Sequence, residues 1–61
     1  MTSETVHVEK NTTSGLWEVR HNSRRVVNTK HKAHAIADAH TITEYLEAKG
    51  VEVITHFDLR G

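Results

Sequence analysis

The chain has no cysteine and no proline, and only three of its 61 residues are glycine. Without cysteine it has no disulfide, no thiolate nucleophile and no cysteine-based zinc site. Without proline, nothing stronger than glycine interrupts the backbone pattern. A chain this short buries only about 60% of the surface that its unfolded form exposes, which argues against a large catalytic cleft. We therefore expect one domain over residues 1–61, with residues 1–4 as a flexible tail.

An excess charge of one sign and a long hydrophobic run are also lacking. Eight Lys and Arg balance eight Asp and Glu, so any binding to nucleic acid or to an anionic membrane needs a local patch. No stretch approaches the roughly 18 apolar residues of a membrane span, and the first five residues do not resemble a secretory signal. We expect a cytoplasmic protein that does not bind membranes.

Alternating apolar and polar residues predict strands over residues 5–9, 16–20 and 51–57, with a shorter basic edge strand over 24–27. Turn-forming residues at 10–15 and 22–23 separate the first three strands. Thr29 suits a helix N-cap and Gly50 suits the position after a helix, so residues 30–49 are predicted to form one helix. The helix is amphipathic, and its apolar stripe contains Ala35, Ile36, Ala39, Ile42, Thr43 and Leu46.

These elements predict an α+β fold in the order β-β-β-α-β, with one long helix on one face of a three- to four-stranded, mostly antiparallel sheet. The last strand either flanks the third strand or lies beside the first, and the pattern leaves both open. Trp17 is expected beneath the helix. The opposite face is expected to be open and mixed polar, with His7, Glu9, Glu18, Arg20, Glu52, Ile54 and His56.

Several short motifs lie at the starts and ends of these elements: Val6-His7-Val8, the segment from Gly15 to Trp17, and the segment from Gly50 to His56. In this arrangement the chain resembles the short bacterial and phage proteins grouped as domain of unknown function twenty-one eighty-eight. It departs from them in Leu16, which separates the glycine from the tryptophan, and in a longer helix. The resemblance covers nearly the whole chain and implies a fold, since it brings no activity, cofactor or site residue. A looser likeness is to small phage proteins that bind and inhibit a host enzyme.

Histidine is unusually frequent, with six in 61 residues. His31 and His34, with Asp38, share one side of the predicted helix, but this side faces solvent and offers too few ligands for zinc. We favour solvated side chains there and expect no metal site and no cofactor. His7 and His56 form either a cross-strand pair or two independent surface imidazoles, and we favour the second. Because acidification toward pH 5 adds up to six charges, solubility and self-association should depend on pH between about 5 and 7.5.

Enzymatic chemistry lacks its usual signatures. The serines lie in the tail and in turns, no Gly-x-Ser-x-Gly elbow occurs, and three glycines cannot form a phosphate-binding loop. Glu44 and Glu47 share a helix face and fit a solvated surface better than a pair of catalytic acids. We therefore expect a protein that is not an enzyme.

A protein with a small core and an uncovered sheet gains stability when a partner covers the sheet. We therefore expect a protein-interaction module that self-associates as a homodimer or binds and modulates another protein. Such a module could be a phage or bacterial accessory protein. The expected contact residues lie on the open face: His7, Glu18, Arg20, Ile54 and His56. The alternative is a nucleic-acid-binding module with a basic edge formed by Arg20, Arg24, Arg25, Lys30 and Lys32. In that alternative Trp17 or His21 would stack on a base. The competing interpretation, which we favour, makes Trp17 the core anchor and the arginines protection for an edge strand.

Overall fold

The computed structural model describes residues 3–60 of the chain. Its elements are β1 (Ser3–Lys10), β2 (Trp17–His21), β3 (Arg24–Thr29), α1 (Lys32–Ala48) and β4 (Glu52–Phe57). The four strands form one sheet in the order β3-β2-β1-β4, and α1 packs against one face of it. The β1–β2 and β2–β3 pairs are antiparallel and the β1–β4 pair is parallel. The predicted α+β fold and its β-β-β-α-β order are confirmed.

The last strand lies beside the first, which is one of the two positions that the sequence left open. β3 and β4 are therefore the two edges of the sheet. Ser3 and Glu4 belong to β1 and pair with Glu52 and Val53, so the prediction of a flexible tail is wrong for these two residues. They are ordered because β4 gives them a strand to pair with. The rest of the predicted tail, residues 1–2, lies outside the described residues.

The turn between β2 and β3 positions both strands. Asn22 and Ser23 have φ values of 53° and 70°, as in the type I′ turn that matches the right-handed twist of a hairpin. The Asn22 side chain fixes the turn to β1, because its Oδ1 accepts a hydrogen bond from the Thr5 N–H at 2.9 Å. The turn predicted at residues 22–23 is confirmed, and it sets the register of the β2–β3 pair.

The helix begins later than predicted. Thr29 is not its N-cap, because it is the last residue of β3 and pairs with Trp17. The N-cap is His31, whose side chain makes no capping hydrogen bond, and the Thr29 hydroxyl accepts a bond from the His31 N–H at 3.2 Å. Strand pairing keeps the backbone extended at residue 29, so α1 has 17 residues instead of about twenty.

The helix ends where the glycine predicts. Gly50 has a φ of +81° directly after the C-cap residue, Lys49. Its N–H donates to the Glu47 carbonyl at 2.9 Å, and the Val51 N–H donates to the Leu46 carbonyl at 3.1 Å. This pair of hydrogen bonds is the Schellman motif, which satisfies carbonyls that the helix itself leaves open.

The core lies between α1 and the sheet. Trp17 is 5% exposed beneath the helix, as predicted, and the Lys32 ammonium lies 5.5 Å from the centroid of its ring. The predicted apolar stripe of α1 faces the sheet. The buried apolar residues are Val6, Val8, Trp17, Val19, Ala35, Ala39 and Leu46, and Val27, Ile42, Val51, Val53, Phe57 and Leu59 pack around them. With one helix available, the other face of the sheet stays uncovered.

Candidate binding surfaces

The uncovered face of the sheet, called here the open sheet face, is a mixed polar surface with a shallow depression of about 390 Å³. Strand pairing brings its residues together, because His7 pairs with both Arg20 and His56, and Thr5 pairs with Ile54. The open sheet face consists of Ser3, Thr5, His7, Glu9, Glu18, Arg20, Arg25, Asn28, Glu52, Ile54 and His56. It brings together the five contact residues expected from the sequence.

The two histidines of this face form a cross-strand pair. His7 and His56 are direct partners in the parallel β1–β4 ladder. Their rings stack with centroids 4.7 Å apart and planes 16° from parallel. The preferred expectation of two independent surface imidazoles is therefore wrong, because β4 lies beside β1 in the register that aligns the two residues. The sequence showed that both rings share a face, but it did not fix the position of β4.

Ile54 is the large aliphatic side chain of the open sheet face. Its side chain lies on the edge strand β4, two residues before His56, and the residue is 52% exposed. Ile54 and His56 line the same depression, together with His7 and Arg20. An apolar side chain beside stacked rings offers a partner a surface to bury, which polar neighbours alone do not.

Glu18 is buried on this face, although it was expected to be exposed and to contact a partner. Only 1% of it is exposed, because three side chains cover it. Asn11 Nδ2 donates to its carboxylate at 2.8 Å, Arg20 donates at 3.2 Å, and an Arg25 nitrogen lies 3.7 Å away. The hydrogen bond from Asn11 and the charges of the two arginines lower the pKa of Glu18, although burial opposes the shift. Glu18 is therefore a buried anion that holds Arg20 and Arg25 in place.

The charges of the open sheet face are arranged in two rows across the strands. The pairing of His56 with His7, of His7 with Arg20, and of Arg20 with Arg25 makes one row of cationic or protonatable side chains. The pairing of Glu9 with Glu18 makes the next row acidic. Residues two apart on a strand are about 6.6 Å apart, so the two rows lie side by side. We call them the cationic row and the acidic row.

Two buried nitrogen atoms of the cationic row lack hydrogen-bond partners among residues 3–60, namely His7 Nε2 and Arg20 Nε. The nearest acceptors belong to Glu9, whose carboxylate oxygens lie 3.6 Å from His7 Nε2 and 3.9 Å from Arg20 Nε. These distances allow electrostatic attraction and are longer than a hydrogen bond. Both atoms are buried, so Glu9 supplies the negative charge nearest to them.

The basic residues of the nucleic-acid alternative do not form a single ridge. Arg20 and Arg25 lie on the open sheet face over Glu18, whereas Lys32 lies over Trp17 on the helix side. Arg24 and Lys30 are exposed, at the start of β3 and just after its end. Trp17 is buried and cannot stack on a base, which confirms the favoured interpretation of it as a core anchor. β3 is an edge strand, as the arginines predicted.

The helix histidines lie at the start of α1. His31 is the N-cap, and its ring meets the ring of His34 edge to face with centroids 4.9 Å apart. Asp38 lies one turn further along α1 and is exposed. Within residues 3–60, no three histidine or carboxylate side chains are grouped closely enough to hold a metal ion.

A second surface, called here the β3 groove, lies where α1 passes the β3 edge. It has a volume of about 370 Å³ and is lined by His21, Val26, Thr41, Ile42, Tyr45 and Leu46. The sequence did not reveal it, because it depends on an irregularity in the β2–β3 pairing: Val27 pairs with Val19 and Arg25 with Arg20, which leaves Val26 without a partner. No local sequence signal marks such a bulge.

The Glu4 carboxylate contacts the His21 ring at the end of the β1–β2 ladder, and the Asn22 amide donates to the same carboxylate at 3.3 Å. These contacts join the hairpin turn to β1. His21 is thus held by a carboxylate at one end of the β3 groove.

Comparison of the chain with protein-family models, with curated proteins and with solved structures finds no match. The resemblance to the domain of unknown function twenty-one eighty-eight proteins therefore stays a prediction. Within the described residues, α1 has neither the length nor the apolar character needed to cross a bilayer.

Proposed function

We propose that the chain is a non-catalytic protein-interaction module that associates with a second copy of itself through the open sheet face. The observation that carries this proposal is the pair of adjacent rows, one cationic and one acidic, on a face that also exposes Ile54. Such a face is complementary to itself, which is the requirement for a symmetric dimer.

The geometry of the dimer follows from the two rows. A two-fold axis in the plane of the contact, oblique to the strands and passing between Glu9 and Arg20, places Glu9 of each copy against Arg20 of the other. Glu9 and Arg20 have side chains that are 38% and 42% exposed, so they are available for this contact. Glu18 stays beneath its two arginines and orients them.

Two further properties support a second copy as the occupant. The formal charge of zero at pH 7 means that two copies have no net repulsion to overcome. Ile54 and the stacked imidazoles supply apolar surface that is removed from water when two such faces meet. The contact area of a four-stranded sheet is small, so we propose a reversible dimer rather than an obligate one.

Hydrogen bonds to the backbone occupy four of the hydroxyl groups, and for these four they support the non-catalytic part of the proposal. Those of Thr41 and Thr43 donate to backbone carbonyls, and those of Ser14 and Thr29 accept from backbone N–H groups. A nucleophilic hydroxyl instead needs a base within hydrogen-bond reach.

Substitution of Ile54 tests the proposal. The variant Ile54→Asp places a charge in the contact and, because a symmetric dimer uses the residue twice, should raise the dissociation constant about a hundredfold or more. Thr55→Asp is the matched control, since Thr55 is exposed on the same strand and projects to the other face. Sedimentation equilibrium over a range of concentrations measures both.

A wild-type chain that stays a monomer up to millimolar concentration would contradict the proposal. A dimer with the same dissociation constant in Ile54→Asp would move the contact away from the open sheet face, for example to the β4 edge. The nucleic-acid alternative has less support, because Trp17 is buried and the basic residues are divided between the two faces of the sheet.

A further inference from the structure

The β3 groove is a second apolar surface, separate from the open sheet face. Val26 is 46% exposed on one side of it and Tyr45 is 60% exposed on the other. Ile42 and Leu46 form its floor, and both belong to or pack against the core. Large apolar side chains exposed on two neighbouring elements, with a cavity between them, indicate a place where another molecule binds.

Two cationic side chains, Lys49 and Arg24, lie beside residues that line the β3 groove. Lys49 lies over the Tyr45 ring, with its ammonium 4.4 Å from the ring centroid. Arg24 pairs with His21 across the β2–β3 ladder and is exposed, and it makes no ion pair with any residue in the range 3–60. The nearby Glu4 carboxylate is already in contact with His21. These two cations are therefore available to an acidic partner.

The backbone beside the β3 groove is also available. β3 is an edge strand, so its outer side has N–H and C=O groups without a neighbouring strand. An extended segment that adds to such an edge directs alternate side chains toward the helix side, where the β3 groove lies. A volume of about 370 Å³ is at the small end of the range for ligand pockets and suits one large apolar side chain with its immediate neighbours.

We propose that the β3 groove binds an extended segment of a different protein, in which one large apolar side chain is flanked by acidic residues. The apolar side chain contacts Val26, Ile42 and Tyr45, and the acidic residues meet Arg24 and Lys49. Self-association through the open sheet face leaves this surface accessible, because the two surfaces lie on opposite faces of the sheet. The inference does not depend on the proposed dimer.

An NMR titration of the full chain with synthetic peptides tests the inference. The probe is a five-residue peptide with blocked ends, in which a central phenylalanine is flanked on each side by valine and then by glutamate. We expect saturable shifts of the Val26, Ile42 and Tyr45 amides, while the amides of His7 and Ile54 stay in place. A peptide with lysine instead of glutamate, and one with alanine instead of phenylalanine, should each bind at least about threefold more weakly.

Two variants complete the test. Arg24→Glu should weaken binding of the glutamate peptide at least about threefold and strengthen binding of the lysine peptide, which separates charge recognition from a loss of folding. Tyr45→Ala removes one wall of the β3 groove at an exposed position and should weaken binding of both the glutamate peptide and the lysine peptide. Ile54→Asp is the control that disrupts the proposed dimer, and it should bind the probe as the wild type does.

Several results would overturn the inference. One is the absence of saturable shifts with the glutamate peptide at millimolar concentration, and another is equal binding of the lysine peptide. A single-stranded oligonucleotide that shifts the same amides when the peptide does not would make this edge a nucleic-acid surface. Shifts of Val26 and Tyr45 that follow protein concentration alone would make a second copy the occupant.

Discussion

Glu18 holds two arginine side chains on the face of the sheet that α1 leaves uncovered. Its carboxylate is buried, and it accepts hydrogen bonds from Asn11 and Arg20 and lies near Arg25. An anion in this position is stable because positive charge and hydrogen-bond donors surround it. Burial here comes from long side chains that lie over the carboxylate, so alternation along β2, which places Glu18 on the solvent side, did not predict it.

The variant Glu18→Gln should unfold more easily than the wild type, by about 1–3 kcal/mol, because an amide replaces the charge that binds the arginines. The folded-state pKa of Glu18 lies below its ordinary value of 4.5, so its stabilising effect is complete above about pH 4.5 and is lost as pH falls through the lowered pKa. The variant should therefore lose less stability than the wild type between pH 5 and 2. Urea unfolding across this range measures the difference.

Glu44→Gln is the control for this substitution, since Glu44 is exposed on α1 and its replacement should change stability by less than about 0.5 kcal/mol. Equal stability of the wild type and Glu18→Gln at pH 7 would contradict the role given to Glu18.

At the scale of the element, α1 shows which features of a helix local sequence predicts and which it does not. Gly50 predicted the end of the helix correctly, because a positive φ is a property of one residue and its neighbours. The start was wrong, because strand pairing between Thr29 and Trp17 outweighs the capping preference of a threonine. The position of β4 and the bulge at Val26 likewise depend on contacts between distant residues.

The first turn of α1 is poorly stabilised, and this suggests a substitution that improves it. His31 makes no capping hydrogen bond with its side chain, and no acidic residue lies in the first turn. His31→Asp supplies both an acceptor for a first-turn N–H and a negative charge near the positive end of the helix. The variant should be more stable by about 1 kcal/mol, whereas His31→Ala should not. Thermal unfolding of the three chains compares them, and an equal effect of both substitutions would contradict His31 as the N-cap.

At the scale of the whole molecule, the sequence predicted the fold class, the core and the residues of the open sheet face. Alternation along β1, β2 and β4 places side chains on one face or the other, and this needs no knowledge of strand order. To predict which of those side chains touch one another, the strand order must be known. The stacked pair of His7 and His56 and the two charged rows follow from the order β3-β2-β1-β4 and its register.

The central claim is that the cationic row of one copy meets the acidic row of another, and a charge exchange tests it most directly. Glu9→Arg and Arg20→Glu should each weaken the homodimer, because each places like charges opposite one another twice. An equimolar mixture of the two variants should form a heterodimer, since one contact then pairs Arg at position 9 with Glu at position 20, and the other pairs the unchanged Arg20 with the unchanged Glu9. We predict a dimer mass in the sedimentation of the mixture and a monomer mass for each variant alone. A mixture that sediments as monomers, when the wild type is a dimer, would contradict the account.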